Sequence, residues 1–144
     1  MKEILKEQLI RHEGKRYRPY RDSVGKLTVG VGRNIDDVPF SENEIMLMLD
    51  NDIQNAVVDA SNFSWYIGLS DVRQAVIVNM LFNMGIARFS GFRKMLKALE
   101  QGNYALAAKE MMDSKWAKQT GNRAHELALL MENGKSTTAP PIIL

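Results

Sequence analysis

Between residues 27 and 32 the chain alternates without a break, Leu27, Val29 and Val31 against Thr28, Gly30 and Gly32. Period-two alternation predicts a strand with one buried face and one bare face. Two glycines on a single face weaken a strand and mark close approach by a ligand or another backbone. The turn residues before it, Asp22-Ser-Val-Gly-Lys26, make a hairpin with the stretch that follows Tyr17. Elsewhere the period is helical. Residues 3–12 set Ile4, Leu5, Leu9 and Ile10 against Lys2, Glu3, Lys6 and Glu7, with Gly14 as a stop. Ser41-Glu-Asn-Glu44 is a capping-box pattern. It opens a helix through about Asp59, striped by Ile45, Leu49, Ile53 and Ala56 or Val57. Ser70-Asp71 opens another, apolar almost all round from Ala75 to Phe82 and ended by Gly85; such a helix belongs in a core. Three more helices are expected near 90–101, 103–113 and 121–133, punctuated by Gly102, Asn103, Gly121 and Gly134. Residues 136–144, with Pro140-Pro141, predict an extended tail.

These elements define an α+β fold, mostly helical, with a small β-hairpin or sheet lobe and a larger helical lobe joined by a long helix. As a single domain over 1–144, the sheet lobe covers about 14–40 and the connecting helix about 41–59. The helical lobe takes 1–13 and 60–135, and the tail 136–144. A cleft between such lobes is the expected place for a ligand.

Composition narrows the function classes. With 45% apolar and 25% charged residues, the chain is neither a disordered tail nor a collagen-like fibre nor a coiled coil. No run of ~18 apolar residues exists, so no membrane insertion is expected. Cysteine is absent, which removes disulfides and Cys-based zinc sites, and His12 and His125 lie too far apart in sequence to suggest a metal centre. His12 reads as surface, and Trp65, Trp116 and the nine methionines as core fillers. The N-terminus is too charged for a signal peptide, which places synthesis in the cytoplasm without a Sec signal. Net charge is +2, too little to argue for nucleic acid. Its distribution is uneven: residues 1–33 carry nine Lys/Arg against four Asp/Glu, residues 34–71 none against eight, and residues 86–135 nine against five. Two basic segments thus flank an acidic middle, either as solvated surface or as a surface for a polyanionic substrate.

With Cys absent and His scarce, carboxylates are the candidate chemical groups. Glu13 ends the first helix, Asp22 follows nine residues later in the turn, and Thr28 six further on the strand. Glycoside hydrolysis needs two carboxyl groups in unlike settings, one protonated and one ionised. Spacing alone leaves open a plainer reading, in which Glu13 is an exposed helix-end acid and Asp22 an Asx-turn former.

Beyond spacing, Glu13-Gly14, Tyr20-Arg-Asp22, Gly25 and Thr28-Val-Gly30-Val-Gly32 together resemble the catalytic segment of phage-type lysozymes and endolysins, the T-even phage lysozyme-like group of glycoside hydrolase family 24. The resemblance continues through Asn79-Met-Leu-Phe-Asn-Met-Gly85, Gly91-Phe92, Ser114-Lys-Trp116 and Gln119-Thr-Gly-Asn-Arg-Ala124, and covers about 4 to 134. It implies a lysozyme-like fold and a muramidase that cuts the β-1,4 bond between N-acetylmuramic acid and N-acetylglucosamine in bacterial peptidoglycan, with inversion. Glu13 would be the acid, and Asp22 with Thr28 would hold the attacking water. Gly32, Asn34 and Phe82 would meet substrate, and Arg123 would position Glu13. No cofactor or metal is implied. The protein would act as a monomer on the wall, after accumulating in the host bacterial cytoplasm and being released with the help of a holin-like partner. The segment Arg33–Phe40 is shorter than in the T-even enzymes, Asn34 replaces an apolar residue, Gly121 replaces a proline, and Met95 and Glu110 stand at two polar contact positions. A lytic transglycosylase and a non-catalytic wall-binding protein are the alternatives.

Overall fold

A computed structural model gives the structure and describes residues 1–135. In chain order the elements are α1 (Lys2–Glu13), β1 (Arg16–Arg21), β2 (Leu27–Gly30), β3 (Arg33–Asn34), α2 (Glu42–Ser61), α3 (Asp71–Met84), α4 (Ile86–Phe89), α5 (Arg93–Glu100), α6 (Tyr104–Met112), α7 (Lys115–Thr120) and α8 (Asn122–Asn133). The described chain is therefore α+β and mostly helical, as the pattern predicts. It divides into two compact units, Met1–Met48 and Leu49–Leu144, with the boundary inside α2. The expected extended tail over 136–144 lies outside the described residues.

In the first unit, α1 stops where Gly14 turns the chain and donates its N–H to the Ile10 carbonyl at 2.9 Å. The helix buries no residue. Three antiparallel strands follow in the order β1-β2-β3. β1 is an edge strand, which tolerates Pro19, and its register with β2 is irregular between Arg16 and Tyr20. Tyr20, Thr28 and Asn34 form one row across the sheet.

The burial expected of β2 is reversed. Thr28 is only 3% exposed, while Leu27 and Val29 are half-buried and Val31 is 38% exposed. Thr28 occupies the middle of the central strand, and its hydroxyl donates to the Lys26 carbonyl at 2.9 Å, which satisfies the group and permits burial. Gly30 and Gly32 have positive φ, so the strand ends at Gly30 and turns into the short β3, which the sequence pattern does not announce.

The capping box at the start of α2 is formed in both directions. The Ser41 N–H donates to Glu44 Oε1 at 2.8 Å and the Glu44 N–H to Ser41 Oγ at 3.2 Å. Glu44 also pairs with Arg33 of β3 at 2.6 Å. Arg33 first, and then the Ser41 N–H, hold the Glu44 carboxyl at about 2, against an ordinary value of 4.5.

The second unit holds the apolar core. α3 supplies Val76, Ile77, Met80 and Leu81, which pack with Phe89, Met95, Leu99, Met111, Trp116 and Met131. Ser70 caps α3 by accepting from the Arg73 N–H, and Gly85 ends it, as the sequence suggests. Of the methionines read as core fillers, Met80, Met95, Met111 and Met131 are buried, whereas Met1, Met46, Met48 and Met112 are exposed. Two helices were not foreseen: the single turn α4, and α7, which Ser114 opens by accepting from the Ala117 N–H at 3.1 Å. Arg73 ties α3 to the end of α8. It donates to the Met131 and Glu132 carbonyls at 2.7 and 2.8 Å and lies 3.8 Å from the centre of the Tyr104 ring. Gly134 closes α8 with φ +68, and a Cβ there would come 2.6 Å from the Arg73 guanidinium carbon, so glycine is required twice over.

Candidate active site

In the first unit the three residues Glu13, Asp22 and Thr28 come from a helix end, a turn and a central strand. Glu13 is the last residue of α1 and is exposed. Its carboxyl lies over the β2–β3 turn, so close that a Cβ on Gly32 would sit 2.8 Å from Oε2 and 3.1 Å from Cγ and Cδ. Gly32 has φ +66. Glycine there serves both the turn and the seat of the acid. Sequence reasoning groups Gly32 with substrate-binding positions; the structure brings it together with Glu13.

Asp22 opens the hairpin turn. Its Oδ1 accepts from the Val24 N–H at 3.0 Å and the Lys26 N–H at 2.8 Å, and its own N–H donates to the Lys26 carbonyl at 2.9 Å. The Asx-turn reading is correct as geometry, and it is compatible with chemistry. Two backbone donors fix one oxygen, while Oδ2 has no protein donor among the described residues. Thr28 gives its proton to Lys26, so toward any further partner its oxygen is an acceptor. Asn34 is committed locally: Oδ1 accepts from the Asp36 and Asp37 N–H groups, each at 3.0 Å, and Nδ2 donates to Asp37 Oδ2 at 2.9 Å. Lys26 first and Asn34 next hold the Asp37 carboxyl below the usual carboxylate range.

In the second unit, Phe82 and Arg123 line one groove of about 530 Å3, with Leu49, Ile53, Tyr66 and Val78. Phe82 is 47% exposed, an aromatic face open to a ligand. Arg123 stands in the first turn of α8, where a cation opposes the helix dipole by ~0.3–1 kcal/mol. Asn79 of α3 offsets this: its Oδ1 accepts from Arg123 Nε at 3.0 Å and from Nη2 at 2.7 Å. Sequence reasoning quoted Asn79 within a motif but gave it no role; its three-residue spacing from Phe82 was the available signal. Trp116 is likewise anchored to that motif, through Nε1–H to Asn83 Oδ1 at 2.7 Å.

The first unit thus carries a carboxyl over the β2–β3 turn, a carboxylate with one oxygen free of protein donors among the described residues, and a hydroxyl whose proton is already committed. The chain matches the phage lysozyme family over residues 10–131. It is 32% identical to a SAR-endolysin of Escherichia phage Mu, over 84% of this chain and 70% of the relative. It is 30% identical to an endolysin of Acyrthosiphon pisum secondary endosymbiont phage 1, over 92% and 83%. It is 28% identical to a probable T4-type lysozyme of Dictyostelium discoideum, over 90% and 94%. The chain belongs to the phage lysozyme family. It is a glycoside hydrolase, a peptidoglycan-degrading lysozyme. Among the described residues no helix is long and apolar enough to cross a membrane.

Proposed function

We propose that the protein is an inverting muramidase that cleaves the β-1,4 bond between N-acetylmuramic acid and N-acetylglucosamine. Glu13 protonates the leaving oxygen. A water donates hydrogen bonds to Asp22 Oδ2 and Thr28 Oγ1. Its lone pair attacks the anomeric carbon from the opposite face as the glycosidic C–O bond breaks, and Asp22 takes one of its protons while the other stays on the new hydroxyl. Inversion asks for carboxyl groups roughly 6.5–9.5 Å apart, with room for that water. Phe82 offers its exposed ring to the glycan. The observation that carries this reading is the hydrogen bonding of the turn, in which Asp22 has one oxygen pinned by two N–H groups and the other open, while Thr28 offers only an acceptor. Two acceptors and no donor orient a water as a nucleophile. The biological role that follows is host-cell lysis: a monomer, made in the host cytoplasm and released to the wall with a holin-like partner.

The test is Glu13→Gln, which keeps size but has no proton to donate. Lysis of purified peptidoglycan should fall by several orders of magnitude with thermal stability unchanged; activity within tenfold of the parent would overturn the assignment.

A further inference from the structure

The first unit carries nine Lys/Arg against eight Asp/Glu, yet its charge is not evenly mixed. Three cations of the sheet are paired: Arg33 with Glu44 at 2.6 Å, Lys26 with Asp37 at 3.1 Å, and Arg21 with Asp36 at 3.9 Å. Arg21 also donates to the Gly25 carbonyl at 3.0 Å. By contrast, Lys15, Arg16 and Arg18 have no acidic partner within 4.0 Å among the described residues. They sit on or beside β1, the edge strand, whose residues are exposed except Tyr20. Aromatic rings are interleaved with them. The Arg16 guanidinium stacks 4.9 Å from the Tyr20 ring centre, and Tyr17 stands 88% exposed with nothing packed on it.

An exposed aromatic between two unpaired guanidinium groups is poor for folding and good for binding. Guanidinium groups favour phosphate oxygens, which they grip with paired donors. The shape of the strip limits the partner. It is one strand wide, and with nine cations against eight acids the unit as a whole is close to neutral, so a broad anionic surface such as a bilayer or a duplex would gain little beyond the strip. A thin, flexible polyanion can follow the strand alone. Arg16 and Arg18 are two residues apart on β1, ~6.7 Å along extended chain, so they would engage neighbouring charges of one polymer.

We infer that β1 binds a phosphodiester polymer of the polyol-phosphate type, the kind of anionic chain that cell walls carry on peptidoglycan. The strip would hold the enzyme on its wall while the catalytic residues act on the glycan. This rests on the peptidoglycan reading above only for the location of the partner; the binding itself is independent of cleavage.

The test compares the parent with R16Q/R18Q, a surface double variant outside the catalytic set. Binding of soluble poly(glycerol phosphate) is measured across a salt series. Two lost phosphate contacts should lower the slope of log affinity against log salt by about 1.4, and should weaken binding at least tenfold at low salt. On phosphate-free peptidoglycan, kcat/KM of the two proteins should agree within twofold. Equal polymer affinity in parent and variant would overturn the inference. So would parent binding to single-stranded DNA or to phosphatidylglycerol vesicles as tight as to the polyol phosphate. A protein that binds the polymer through these arginines but cannot cleave peptidoglycan would refute the proposed function and leave this inference standing.

Discussion

Gly32→Ala tests whether the β2–β3 turn seats the acid, and Gly30→Ala is its control. The two glycines share nearly the same backbone, φ +68 at Gly30 and +66 at Gly32. Alanine at either costs about 1–2 kcal/mol of left-handed strain. Their surroundings differ. A Cβ on Gly30 meets nothing within 4 Å, whereas a Cβ on Gly32 meets Glu13 Oε2 at 2.8 Å. Ordinary contact at 3.4 Å needs the carboxyl to retreat by about 0.6 Å. Because the clashing atom is the tip of an exposed, flexible side chain, it can move at little cost in stability. Catalysis is less forgiving, since a ~1 Å misplacement of a reacting group costs on the order of 100-fold. Both variants should therefore melt at similar temperatures by circular dichroism. Gly32→Ala should lose roughly tenfold or more in kcat/KM on peptidoglycan relative to Gly30→Ala. Equal activities in the two variants would refute the idea that Gly32 sets the position of Glu13.

Asp22→Asn should cost far more activity than Thr28→Ser, because serine keeps the hydroxyl that donates to Lys26 and accepts from water; comparable losses in kcat would argue against a water held by both groups. Arg73→Ala removes two charge-assisted hydrogen bonds and a stacked ring, about 2–4 kcal/mol together. At ~3 °C per kcal/mol, Tm followed by the fluorescence of Trp65 and Trp116 should fall by about 6–12 °C, and Arg73→Lys should not restore it. The Glu44 carboxyl is held at about 2 when folded, below its ordinary 4.5. Because the folded value is the lower one, its contribution is full above pH ~4.5 and is lost as pH falls toward 2. Acid unfolding of Glu44→Gln should therefore lack the steepening that the parent shows in that window; superimposable profiles would contradict the pairing with Arg33.

The elements that were legible in the sequence are those whose signal is local. Ser41 and Glu44 announce their own capping box, Ser70 its helix start, and Gly14 and Gly85 their helix ends, because each acts through bonds within about four residues. What failed depends on neighbours in space. Thr28 reads as the bare face of an alternating strand, and it is buried because β1 and β3 flank it and its hydroxyl finds the Lys26 carbonyl. A two-residue strand such as β3 has no period to detect. At the site, the spacing of Glu13, Asp22 and Thr28 was visible, but the support around them was not. The contact of Gly32 with Glu13 and the grip of Asn79 on Arg123 each join residues 19 or more positions apart. Asn34 shows the converse: its amide is spent on the loop at Asp36 and Asp37, a use that no substrate-position argument anticipates.

The most direct test of the hydrolytic mechanism is the anomeric configuration of the first product. A defined β-1,4-linked N-acetylmuramic acid–N-acetylglucosamine oligomer would be cleaved in an NMR tube, and the proton spectrum followed before mutarotation mixes the anomers. The account predicts new reducing ends in the α configuration, produced by the parent and not by Glu13→Gln. Initial β ends would contradict single displacement by a water held at Asp22 and Thr28. Anhydro ends, seen by mass as the loss of one water, would contradict hydrolysis altogether.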